Sequence, residues 1–206
     1  MPSLVGVEPL PHAQALEMLE SEQYLKGAAL PLHPLREIWT EEYIDALSAY
    51  IRSRKLSPIM EICAGDGRLG WYLNQQETGL DVLVTDDDSW RIQHIYPVIV
   101  RDAAEAIEAW RPEMVIASWA EPGLVYDESF SKIKEVIEIG QPAGIAPPGW
   151  EAVALEDITS EQLCAAQMPP FVREGKQIAE FTPDGVVSCE PREIVRSRTV
   201  SYRRKG

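Results

Sequence analysis

The residues best suited to chemistry lie in Pro58–Tyr72, PIMEICAGDGRLGWY. An apolar stretch, Ile59–Cys63, runs into Ala64-Gly65-Asp66-Gly67 and then into a helical pattern opening at Arg68. Gly65 and Gly67 carry no Cβ, so the backbone there can bend tightly and come close to a ligand. A helix starting behind such a turn presents free N–H groups. The pattern is a cradle for a nucleotide-type molecule. Its bland counterpart is a tight strand–helix connection of the kind any α/β protein uses. A second apolar stretch, Val82–Thr85, reads as a strand, with Asp86 the first residue past it and Asp87 and Asp88 following.

Two cofactor classes use such a cradle. Gly65-Asp66-Gly67-Arg68-Leu69-Gly70 fits G-x-G-x-x-G, and Asp86 lies 21 residues beyond Gly65, as a dinucleotide fingerprint asks. Glu61 points elsewhere. It stands inside the strand, four residues before Gly65, where dinucleotide folds usually place a buried apolar residue. A carboxylate there is costly unless a cation or donor satisfies it. With its acid and spaced glycines, Glu61–Gly67 (EICAGDG) resembles motif I of the class I S-adenosylmethionine-dependent methyltransferases. About 57 residues precede the first strand, and 206 residues leave little room for a separate substrate domain. Both facts suit that family better than a dehydrogenase.

The resemblance extends over about residues 40–204. It implies an α/β three-layer sandwich: a mostly parallel seven-stranded sheet with an antiparallel last strand, helices on both faces, and a helical N-terminal extension. It implies S-adenosylmethionine as cofactor, held by Glu61 and the turn residues Cys63, Ala64, Gly65 and Gly67. Asp86 or Asp87 would take the ribose hydroxyls, with Asp86 favoured. Asp102 would accept from the adenine amine, beside Ala103. Met114–Pro122 (MVIASWAEP) would place Ser118, Trp119 and Glu121 next to the reacting methyl. Glu121 is the first candidate for a catalytic base, with Tyr126, Asp127 and His33 behind it. The match departs from the family at Cys63, which replaces the usual first glycine. The SWAEP segment lacks the Pro-Pro-aromatic motif of nucleic-acid base methylases, and no divalent-metal arrangement can be matched. The implied reaction is methyl transfer to a small molecule or protein side chain. A methyltransferase fold serving only as an interaction module, and a nicotinamide-dependent oxidoreductase, are the alternatives.

The elements that must position these residues follow a simple order. Residues 1–56 read as a helical extension packed on a domain of residues 57–206. In the extension, Ala13–Leu25 has a helical pattern, broken by Pro31 and Pro34. Thr40 is a candidate N-cap, followed by Glu41 and Glu42 in the first turn. Ile44, Leu47, Tyr50 and Ile51 form an apolar stripe, and Arg52, Arg54 and Lys55 close the helix. The middle alternates strands and helices: Ile59–Cys63, Arg68–Asn74, Val82–Thr85, Val98–Val100, Asp102–Trp110, Met114–Ala117 and Val136–Ile139. Strands that are continuously apolar with helices between them predict a parallel sheet covered on both faces. Gln141–Trp150 reads as a Pro/Gly loop. Thr159 or Ser160 would cap a helix running to Ala166, ended by Met168-Pro169-Pro170. Ile178–Phe181, Val186–Cys189 and Thr199–Tyr202 are strand candidates in the tail, with a turn at Pro183-Asp184-Gly185.

Composition bounds the partners. The 206 residues are 25% charged and 45% hydrophobic, enough for one self-supporting core. The net charge of -14 repels phosphate backbones, so nucleic-acid binding is not expected. The last 17 residues run the other way, with six Lys or Arg against two Glu. A closing edge strand with solvated charges, or a phosphate-binding tail, would explain them. No apolar run reaches a membrane-spanning length, and no leader pattern opens the chain. Three cysteines with no CxxC argue against a disulfide framework or zinc site and suit a reducing cytoplasm. The tryptophans read mostly as core or pocket wall, and Cys63 as a small buried residue rather than a nucleophile.

Overall fold

The computed structural model describes residues 9, 11, 13–14, 37–75, 78–89, 94, 96–118, 120, 130, 132–140, 149–155, 158, 164–168, 172–173, 176–177, 193–195 and 198–204. In chain order the elements are β1 (Glu37–Trp39), α1 (Glu41–Arg54), β2 (Ile59–Ile62), α2 (Arg68–Leu73), β3 (Val82–Asp86), β4 (Ile99–Val100), α3 (Ala103–Trp110), β5 (Met114–Ser118), β6 (Glu135–Gly140), β7 (Trp150–Ala154), β8 (Cys164–Met168), β9 (Val172–Arg173), β10 (Lys176–Gln177), β11 (Glu193–Val195) and β12 (Arg198–Arg204).

The main sheet has seven strands in the order β4-β3-β2-β5-β6-β12-β7. Strands β2 to β6 pair in parallel. β12 is antiparallel to both its neighbours, β6 and β7. This is the mostly parallel α/β sheet with an antiparallel last strand that the sequence implies. The central strands are buried along their whole length because both faces are covered. On one face, Tyr43, Ile44, Leu47 and Ile51 of α1 and Leu69 and Leu73 of α2 pack against Ile59, Met114, Ile116 and Ile137. On the other, Ala106 and Ile107 of α3 pack with Met60, Ile62, Val115 and Val136.

Helix α1 forms as its sequence dictates. The Thr40 hydroxyl accepts from the Tyr43 amide at 3.2 Å, and Glu41 and Glu42 sit at the positive end of the dipole. Lys55 closes the helix in a left-handed conformation. A buried polar network then ties α1 to the sheet at the amino end of β6. The fully buried Glu135 carboxylate accepts from the Tyr50 hydroxyl and Arg54 Nε, each at 2.5 Å, and from the Ser201 hydroxyl at 2.6 Å. Arg203 approaches the same carboxylate and donates to Tyr50.

Several expectations change. Asp86 is the last residue of β3, not the first beyond it, because its pairing with Val100 of β4 extends the strand. Residues 164–166 were expected to end a helix but begin strand β8, which pairs with β1 on one side and β11 on the other. Partners on both sides override a local helical preference that no long apolar stripe supports. Trp150 opens strand β7 instead of ending a loop; β7 lies at an edge of the sheet and is half exposed, and its apolar run, Ala152–Ala154, is short and small. β12 is consequently an interior strand and not the closing edge. Two of its basic residues are engaged internally, Arg203 at Glu135 and Arg204 over the Trp150 ring at 5.6 Å. Of the helix expected over 13–25, only Ala13 and Gln14 are described, and both are helical; the strand candidates Ile178–Phe181 and Val186–Cys189 lie outside the described residues.

Candidate functional site

The carboxyl ends of β2, β3, β4 and β5 converge on the glycine turn, the usual place for a ligand in a parallel sheet. The turn leaves β2 through left-handed residues, Cys63 at φ 55°, Gly65 at 57° and Gly67 at 82°. Glycine adopts these angles freely, whereas Cys63 does so at a cost of roughly 1–2 kcal/mol. This is the physical reason glycine is usual at that position in the family the sequence resembles.

The turn is clamped to the end of β3. The Ala64 amide donates to the Thr85 carbonyl at 3.1 Å, and the Thr85 hydroxyl donates to the Glu61 carbonyl at 2.9 Å. The central contact is between predicted residues. The Gly65 amide donates to Asp86 Oδ2 at 2.8 Å, and the Asp88 amide donates to Oδ1 at 2.8 Å. Asp86 is only 8% exposed, so two backbone donors fix its carboxylate at the turn. Each oxygen retains a second lone pair for a further donor. Asp87 is exposed and accepts from the Ser89 amide at 2.9 Å.

Beneath the turn lies Glu61, 0% exposed. The Ser118 hydroxyl, at the end of β5, donates to its Oε1 at 3.5 Å, a long bond. Its Oε2 lies against Gly70 and has no hydrogen-bond partner; the Gly70 amide eases its charge without regular hydrogen-bond geometry. Burial pushes the Glu61 carboxyl up from 4.5 to about 8, and the charges of Asp66 and Asp86 add to the shift. Asp66 itself is committed to Arg68, accepting from its backbone amide at 3.1 Å and its guanidinium at 2.8 Å.

The two glycines after Gly65 serve packing. A Cβ on Gly67 would stand 2.5 Å from Val98 Cγ2, so no side chain fits there. A Cβ on Gly70 would stand 2.2 Å from Val84 Cγ2 and 2.6 Å from Glu61 Oε2, because α2 presses directly on β2 and β3. Gly70→Ala is therefore expected to destabilise the fold by about 1–3 kcal/mol. A thermal melt checks this; an unchanged midpoint would contradict the packing.

Asp102 stands at the amino end of α3. Its Oδ1 caps α3, accepting from Ala104 at 2.9 Å and Glu105 at 3.2 Å, with Ala103 the first helical residue. Val100, in the segment Val98–Ala104 that the resemblance places near the adenine, pairs beside Asp86 and is 58% exposed. Sequence reasoning missed Glu138, buried on the opposite face of β6 near Tyr202. Burial first, then Glu138, pushes the Tyr202 hydroxyl up to about 12. Trp39 is core, tilted against Tyr43 at 5.4 Å, while Trp71 stacks on Tyr96 at 5.1 Å. Trp119, Glu121, Tyr126, Asp127 and His33 lie outside the described residues. Among the described residues no cluster of His, Cys, Asp and Glu could hold a metal ion, and no helix is long and apolar enough to cross a membrane.

No protein-family model matches the chain, and no curated protein matches it. Solved structures similar to it include several methyltransferases. One, assigned provisionally as an RNA methyltransferase from Pyrococcus horikoshii, is 12% identical, with 78% of this chain and 81% of that chain covered at a TM-score of 0.43. Precorrin-6y C5,15-methyltransferase from Geobacter metallireducens is 9% identical, with 77% and 88% covered and a TM-score of 0.41. Magnesium protoporphyrin IX methyltransferase from Synechocystis, with bound S-adenosylhomocysteine, is 10% identical, with 79% and 82% covered and a TM-score of 0.37.

Proposed function

We propose that this chain binds S-adenosylmethionine and transfers its methyl group to a small molecule or a protein side chain. The observation that carries the reading is the Asp86 carboxylate, fixed on the Gly65 amide at 2.8 Å at the carboxyl edge. A rigid double acceptor at that place suits a pair of vicinal hydroxyls. The buried Glu61 carboxyl, held at Oε1 by one long bond from Ser118, supports the same ligand, because an amino-acid ammonium there would compensate the acid. A dinucleotide offers it no ammonium group. The exposed Val100, paired with Asp86, offers an apolar surface for a purine.

When bound, the cofactor supplies an activated methyl on a sulfonium. The chain's own part is positional. Gly65 and Asp86 hold the nucleoside end, Glu61 and Ser118 face the amino-acid end, and holding reactants in line contributes about 7–11 kcal/mol in favourable cases. Where the acceptor carries a proton, Glu121 is the residue proposed to take it.

Calorimetric titration with S-adenosylmethionine, S-adenosylhomocysteine and NAD tests this. Micromolar binding of the two adenosyl ligands, with none of NAD, is the expected result. Binding of NAD alone would replace the reading with the oxidoreductase one. No binding of any of the three would leave the fold as an interaction module.

A further inference from the structure

We propose that Glu61 is a neutral acid in the ligand-free protein and that an ammonium group arriving beside Ser118 displaces its proton to solvent, so that binding of the cofactor's amino-acid end releases one proton. The inference rests on the cofactor reading above and goes beyond it to the linkage between binding and pH.

The geometry argues it. Glu61 is sealed from solvent, with one long hydrogen bond at Oε1 and none at Oε2. The groups facing it make an anion worse. The turn contributes Asp66 and β3 contributes Asp86, both acidic; β5 contributes only the Ser118 hydroxyl, and α2 only the Gly70 backbone. The Arg68 guanidinium, at the start of α2, is held by Asp66 at 2.8 Å. A buried carboxylate with no cation takes a proton instead. The raised titration of Glu61, to about 8, agrees. A ligand ammonium supplies the missing cation. The balance is then one carboxylic acid and one ammonium giving one carboxylate–ammonium pair, with one proton passed to the buffer. No bond other than O–H is broken.

The sign follows from linkage. Below the titration of Glu61 the free protein holds a proton that the complex does not, so affinity falls as pH falls. One proton per ligand means about a tenfold weakening from pH 7 to pH 6. S-adenosylhomocysteine carries the ammonium. 5′-Methylthioadenosine has the same nucleoside and lacks it, so its affinity should not change with pH.

Calorimetry of both compounds at pH 6.5, in two buffers of different ionisation enthalpy, tests this directly. About one proton is expected to leave per S-adenosylhomocysteine bound and none per 5′-methylthioadenosine. Glu61→Gln should abolish both the proton release and the pH dependence. A ligand-free readout accompanies it. The native chain keeps a proton that an unfolded glutamic acid, at 4.5, gives up, so its stability falls between 4.5 and about 8. The melting temperature of Glu61→Gln relative to the native chain should therefore rise from pH 5 to pH 8. Binding of S-adenosylhomocysteine with no proton exchange, or equal exchange with both compounds, would overturn the proposal and leave the cofactor reading standing. Failure of both compounds to bind would overturn both.

Discussion

Asp86→Ala is expected to weaken adenosyl-ligand binding by about 10²–10⁴-fold. In the proposed reading the carboxylate accepts two hydroxyls, and a hydrogen bond to a charged group is worth about 1.5–3 kcal/mol. Losing two costs about 3–6 kcal/mol, which at 1.4 kcal/mol per tenfold gives that range. A second loss adds to the first. The Gly65 and Asp88 amides both donate to Asp86 at 2.8 Å, so alanine also unclamps the turn that shapes the cradle. Asp86→Asn separates the two effects poorly, because its NH₂ group would face one of those amides, donor to donor. The informative contrast is Asp87→Ala. That side chain is exposed and holds only the Ser89 amide, so its removal should change affinity by less than about threefold, below 1 kcal/mol. Titration of both variants with S-adenosylhomocysteine decides. Comparable losses in the two would mean that the ribose acceptor is shared; a loss confined to Asp87→Ala would move it there.

Glu61, Gly65 and Asp86 were legible in the sequence because their chemistry is local to strand ends. A strand followed by a glycine turn and a second strand ending in acids fixes where those groups must meet once the strands pair in parallel. Helix α1 was legible for the same reason, with its cap, acidic first turn and basic last turn all within the segment. What stayed hidden depends on distant partners. Residues 164–168 become a strand because Glu37–Trp39, more than 120 residues earlier, and Glu193–Val195 pair with them. The packing demand on Gly67 comes from Val98, which the fold sets against it. Glu135 drew no attention, since nothing in Glu135–Gly140 announces that a tyrosine, a serine and two arginines from α1 and β12 will surround it.

That last cluster carries the largest expected stability effect. Glu135→Ala should cost about 3–5 kcal/mol, the usual penalty for breaking a buried charge network by removing one member. The Ser201 hydroxyl is fully buried and would lose its acceptor, while Arg54 and Arg203, about a third exposed, can turn partly toward water. In a chain of this size each kcal/mol moves the melting temperature by about 2–4 °C, so a fall of about 6–20 °C is expected. Glu135→Gln keeps one acceptor oxygen and should cost less, about 1–3 kcal/mol. Urea denaturation of the three proteins measures both. The Gln variant also separates stability from the site. Glu135 opens β6 at its amino end, whereas the glycine turn and Asp86 stand at the carboxyl ends of the parallel strands. Glu135→Gln should therefore lower the urea midpoint and leave S-adenosylhomocysteine affinity within about twofold. If affinity fell with stability, the cradle would depend on how α1 docks at the far edge of the sheet, and the site would extend through the fold rather than rest on the ends of β2 and β3.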